Sequence, residues 1–164
     1  EYQRSPLRVI AECVQQVKDE YDWIFIDCPP TISKLMQSAL VASTHLLIPV
    51  ECDPYNLDAT TQMFNQVTKL NKINADLHVL GVFAVKYESR AMLSGWMQHN
   101  LNQIDANALF TASIRKGCDL SKTILCGQPL CLTEPKHPVV EDYQSLLAEI
   151  QERILTSNSR LVAA

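Results

Sequence analysis

Four short, largely apolar runs, 23–26, 45–50, 77–85 and 109–114, are separated by segments whose apolar residues recur at helical spacing. This alternation constrains the chain more than any other feature. A run that is apolar at successive positions has two faces to bury, and a strand achieves that only inside a sheet covered on both sides. Strands alternating with helices therefore predict an α/β fold, a mostly parallel sheet flanked by helices on both faces.

The connecting segments carry their own signals. Ser5 before Pro6 predicts a helix start, followed by Leu7, Ile10, Val14 and Val17 on one buried face. A helix is expected from about Ser33 to Ala42, and a long one capped by Asn56 with Leu57, Phe64, Val67 and Leu70 inward. A Met- and Leu-rich helix follows over about 91–101; its Met92, Trp96 and Met97 read as core or a subunit contact rather than a cofactor pocket. The run 109–114 is the weakest strand, and Val139, Tyr143, Leu146, Leu147, Ile150 and Ile154 mark a final amphipathic helix. Residues 1–156 are expected to form one domain portion, with 157–164 a flexible tail.

Composition excludes several classes. With 164 residues, 47% hydrophobic and 20% charged, the chain can bury a sizeable core and is neither disordered nor fibrous. Asp27, His45, Pro49 and Glu51 interrupt its longest apolar runs, so none reaches the ~20 residues that span a bilayer. The six cysteines form no C-x-x-C pair and the four histidines no metal-ligand spacing, which fits reduced thiols in a cytoplasm and no zinc site. A net charge of −4 argues against whole-surface attraction to nucleic acid and leaves only a local basic patch. The sequence opens on Glu1 and reads as a piece of something longer.

Open parallel sheets bind ligands beyond the carboxyl ends of their strands, here after Ile26, Val50, Val85 and Ile114. Asp27, held by Pro29 and Pro30 behind the first run, has two readings: cap for the next helix, or carrier of a magnesium-bound water beside a nucleotide's phosphates. Both are open on the residues alone.

The stretch 21–30, Tyr-Asp-Trp-Ile-Phe-Ile-Asp-Cys-Pro-Pro, resembles the magnesium-side and switch segment of the ParA/MinD family of deviant P-loop ATPases. Leu47 to Cys52, Leu80-Gly81-Val82 with Tyr87-Glu88-Ser89-Arg90, and Gly127-Gln128-Pro129-Leu130 follow in that family's order. The resemblance implies an ATPase of DNA segregation or cargo positioning, cytoplasmic and nucleoid-associated. It implies ATP and Mg2+ as cofactors, an ATP-dependent homodimer, nonspecific DNA binding, and a ParB-like or cargo-adaptor partner that stimulates hydrolysis.

Residue by residue, the resemblance makes Asp27 the magnesium-side carboxylate through water, and Pro29 and Pro30 the start of the phosphate-sensing switch. It places nucleotide contacts near Ile114 and Arg115, and Glu51, Asp53 and Tyr55 beside the nucleotide and dimer partner. Its DNA-contacting loop, S-R-x-x-L-S, matches Ser89-Arg90 with Leu93-Ser94, and Lys86, Lys116 and Lys122 are further DNA candidates.

Two departures stand against that pattern. No segment resembles the glycine-rich K-G-G-x-G-K-T loop, so this polypeptide alone is expected not to hydrolyse ATP. In the family's I-P-R-x-x-R-L-S segment, Arg115 replaces the proline and Asp119 an arginine. The family also sets the phosphate-loop strand beside the one ending at Asp27, so apolar edge should be exposed here. The alternative function is a nonenzymatic binding or dimerisation module that has lost the nucleotide site. A MinD-like membrane positioner is disfavoured by a tail without a basic amphipathic pattern.

Overall fold

The computed structural model of the chain describes residues 5–29, 31, 33–52, 73–101, 108–117, 123 and 127–162, with 97–101 and 157–162 as backbone. A 3-10 turn at Pro6–Arg8 leads into α1 (Val9–Val17), as the Ser5-Pro6 start predicts. Then come α2 (Lys34–Ala42), β1 (His45–Glu51), β2 (His78–Tyr87), α3 (Arg90–Leu101), β3 (Ile114–Arg115), α4 (Leu130–Thr133) and α5 (Pro138–Val162). The strands form a three-stranded sheet in the order β1-β2-β3. Its parallel pairing sets Val85 against Ile114 and Tyr87 against Arg115. The predicted α/β class holds.

Packing divides the chain into two compact units, one of Glu1–Leu46 with Thr61–Val79, the other of Leu47–Thr60 with Leu80–Ala164. In the first, Met36, Leu40 and Leu77 form a small core with Val41, Leu46 and Val79 against it. Side chains close off the ends of α2. The Ser33 hydroxyl accepts from the Met36 amide at 3.2 Å, capping the helix start. At the other end the Asn74 amide nitrogen lies 3.1, 3.1 and 2.8 Å from the carbonyls of Leu40, Val41 and Ser43, closing the last turn and the residue after it. The Ile10 amide donates to the buried Ser38 hydroxyl at 3.2 Å, tying α1 to α2.

Two expectations need correction in this unit. Residues 23–26 are not a buried strand: they run extended with no ladder bonds, and Trp23 is 42% and Phe25 68% exposed. A strand is buried by its neighbours, and no described residue supplies one here. Helix α1 buries no residue fully and leaves Val17 exposed, for the same want of a covering layer.

The second unit is built on β2 and α5. Successive residues Leu80, Gly81 and Val82 are all buried, as a strand covered on both faces requires. Gly81 is obligatory: a Cβ there would meet the Ala108 carbonyl oxygen and the Phe110 ring, each at 2.5 Å, and its φ is +155°. Phe110, Ile114, Leu130, Val139, Val140, Leu146 and Ile150 complete the core with Leu80. The predicted strand 109–114 shrinks to β3 plus a single bridge from Leu109 to Val82. The tail expected from Ser157 is helical backbone as far as Val162.

Because β3 is so short, the backbone ahead of it is satisfied by side chains of α5. The Glu149 carboxylate accepts from the amides of Thr111 at 3.1 Å and Ala112 at 2.8 Å. Arg153 pairs with Glu149 at 2.7 Å, donates to the carbonyls of Leu80 at 3.2 Å and Leu109 at 2.7 Å, and lies 3.8 Å from the Phe110 ring centroid. Arg153→Met keeps roughly the volume but removes the cationic partner of Glu149 and the donors to two carbonyls. It is expected to lower the unfolding free energy by about 2 kcal/mol, discounted for partial exposure. Urea denaturation measures this, and an unchanged midpoint contradicts it.

Candidate functional site

Asp27 ends the extended segment of the first unit, with its side chain exposed. Its structural alternative, capping α2, is taken by Ser33. Among the described residues no hydrogen bond or ion pair engages the Asp27 carboxylate. The Cys28 thiol beside it points to the Ile26 carbonyl, at 3.7 Å, and burial, with Asp27 adding, raises its pKa. Upstream, the rings of Trp23 and Phe25 stack at 6.0 Å with 10° between planes. Pro29 is exposed. Pro30, with Asp53, Tyr55 and Lys122 and the helix expected after Asn56, lies outside the described residues.

The remaining candidates fall in the second unit, at the carboxyl ends of its strands. Ser89 caps α3, its hydroxyl accepting from the Met92 amide at 3.2 Å, which sets Arg90 exposed in the first turn of the helix. Lys86 pairs with Glu51 across β1 and β2, and Lys116 with Glu88 across β2 and β3. Each of those two lysines thus carries a carboxylate counterion.

Ile114 and Arg115, where nucleotide contacts are expected, are engaged within the second unit. The Ile114 side chain is 4% exposed and sits in the core. The Arg115 guanidinium is held in a fork by Asp142 of α5, Nε to Oδ2 at 2.7 Å and Nη2 to Oδ1 at 2.8 Å. The same carboxylate accepts from the Arg115 amide at 2.9 Å, and the fork raises the guanidinium's pKa. Trp96 is buried, Met92 exposed.

Asp142, Glu149, Arg153 and Glu88 carry these contacts, and the sequence reading missed all four. The signal was present on α5. Val139, Asp142, Leu146, Glu149 and Arg153 follow steps of three, four, three and four, so the charged residues occupy core-facing positions of an amphipathic helix. A charge there implies a buried partner.

Magnesium takes six oxygens and tolerates few protein ligands. Among the described residues no group of three or more His, Cys, Asp or Glu is placed to hold a metal. An exposed carboxylate free of other partners suits a water-mediated magnesium contact, so Asp27 fits the metal side of such a site. Nothing described supplies the amide cradle that phosphates need.

A family model described as an AAA domain matches residues 2–79. The chain is 30% identical over 142 residues to the sporulation initiation inhibitor protein Soj of Bacillus subtilis, covering 86% of this chain and 56% of that protein. It is 27% identical over 145 residues to the chromosome partitioning protein ParA of Myxococcus xanthus, covering 88% of this chain and 51% of that protein. These matches support the ParA/MinD family of P-loop ATPases, on part of the length of its members. It spans about half the length of the curated relatives it matches. An ATP complex of McdA from Cyanothece superposes with a TM-score of 0.72 at 18% identity, over 91% of this chain and 57% of that one, a likeness of fold.

Where ParA/MinD members commonly place proline after the β3 isoleucine, this chain uses Arg115 and anchors it to Asp142. Asp142→Ala removes three acceptor contacts at once, leaving the guanidinium without its fork. A loss of roughly 2 kcal/mol in unfolding free energy is expected. Phenylglyoxal should also modify Arg115 faster in Asp142→Asn than in the parent. Equal modification rates would show that the fork does not hold in solution.

Proposed function

We propose that this chain forms the carboxyl-side part of a ParA-like ATPase that partitions DNA or positions cargo, working as an ATP-dependent homodimer. The observation that carries the reading is Asp27. It is a carboxylate at the tip of an apolar segment, relieved of helix capping by Ser33 and engaged by no described residue, in a chain 30% identical to Soj over 142 residues. The Asp27 carboxylate is solvent-exposed, so it is open to a hydrated cation.

In this reading Asp27 orients a water on Mg2+, and the ion offsets charge on the phosphate oxygens of ATP when bound. Pro29 and Pro30 stiffen the chain directly behind it, so that a change at the phosphates is passed to the following residues rather than lost in a flexible loop. Arg90, set in the first turn of α3 by Ser89, is the foremost contact for the DNA backbone, with Lys86, Lys116 and Lys122 beside it in the family's layout. A ParB-like or cargo-adaptor protein would stimulate hydrolysis. No described helix is long and apolar enough to cross a membrane.

The alternative, a binding or dimerisation module without a nucleotide site, draws on the absence of any glycine-rich phosphate loop from these 164 residues. The two readings separate on the full-length protein. The ATPase reading predicts a rise in thermal midpoint with Mg2+–ATP, by mass action, and slow hydrolysis accelerated by DNA. No ATP-induced shift and no hydrolysis, with or without DNA, would leave the module reading in its place.

A further inference from the structure

At the carboxyl edge of the second unit, charges alternate from strand to strand. Glu51 ends β1, Lys86 and Glu88 flank the end of β2, and Lys116 follows β3. They meet as two cross-strand pairs, Lys86 with Glu51 and Lys116 with Glu88, and all four side chains are more than half exposed. Lys116 also donates its amide to the Tyr87 carbonyl at 2.9 Å, which fixes its root to β2.

The backbone is shaped to make the first pair. The β2–β3 register slips between Val85 and Tyr87, and the residue inside that irregularity, Lys86, has φ +56°. A bulge re-aims the side chain it carries. Holding a non-glycine residue in the left-handed region strains the backbone. An exposed ion pair contributes little to stability, so the pair is not explained as a stabilising contact. What it does achieve is a lysine held in place and neutralised, whose counterion another anion can displace at little cost. The Lys116 hydrogen bond lowers the Glu88 pKa below the usual carboxylate range.

We propose that Glu51 and Glu88 are internal counterions on a phosphate-binding edge, holding Lys86 and Lys116 until a nucleic-acid backbone displaces them. The inference rests on the DNA-binding reading above and adds a restraint to it. With a net charge of −4, these 164 residues taken together do not attract a polyanion. Two of the candidate lysines already hold carboxylates, and each carboxylate displaced remains close enough to repel the phosphate that replaced it. Contact with DNA is thereby kept weak and conditional.

The test is fluorescence anisotropy of the full-length protein with Mg2+ and ATP, titrated onto nonspecific duplex DNA. Glu51→Gln and Glu88→Gln should each tighten binding by about 2- to 5-fold at low salt, the gain shrinking as salt rises. Glu152→Gln, an exposed position on α5 that belongs to neither lysine pair, controls for net charge and should give no comparable gain. In a Lys116→Gln background, Glu88→Gln should gain nothing. Equal gain from Glu152→Gln, a gain that survives without Lys116, or no gain at all overturns the inference while DNA binding itself stands. Failure of the parent and every variant to bind DNA overturns both.

Discussion

A two-residue strand leaves most of its surroundings unladdered, and the second unit is organised around that deficit. The amides of Ala112 and Arg115 and the carbonyls of Leu80 and Leu109 are partly buried, where an orphaned backbone group costs about as much as a lost hydrogen bond, and the Thr111 amide lies beside them. Helix α5 meets them with three charged side chains: Glu149 and Asp142 accept, Arg153 donates and covers the Phe110 ring. The amino half of β2, at Leu80, and the carboxyl end of β3, at Arg115, are thereby tied to α5. The candidate DNA-facing residues Lys86, Arg90 and Lys116 inherit their positions from that arrangement.

The first unit solves the same problem at α2, with Ser33 at one end and Asn74 at the other. The segment 23–29 has no equivalent. Its backbone makes no ladder bonds, and its apolar side chains stand exposed. The contrast isolates Asp27: neighbouring polar side chains close helices, whereas this one closes nothing described.

Much of this was legible in the sequence. Alternating apolar runs and helical periods pointed to the α/β class, β1 and β2 lie within a residue or two of their expected bounds, and Ser5-Pro6 and Ser33 announce their helices. Three things were not. Burial of Trp23 and Phe25 depends on partner strands, which hydropathy cannot count. The run 109–114 reads as a strand because Leu109, Phe110 and Ile114 are core residues, yet Glu149 takes the Thr111 and Ala112 amides and leaves only Ile114–Arg115 in the ladder. The fork on Arg115 was the third, because its partner Asp142 lies 27 residues away and only the fold brings them within 2.7 Å.

The account turns on Asp27 as the magnesium-side carboxylate of an ATP site. Equilibrium ATP binding to the full-length protein, compared between the parent and Asp27→Asn with Mg2+ and again with EDTA, tests it most directly. The predicted result is an affinity loss of roughly 10-fold or more in Mg2+ and none in EDTA. Equal affinities under both conditions, or the same loss with the metal removed, would contradict it.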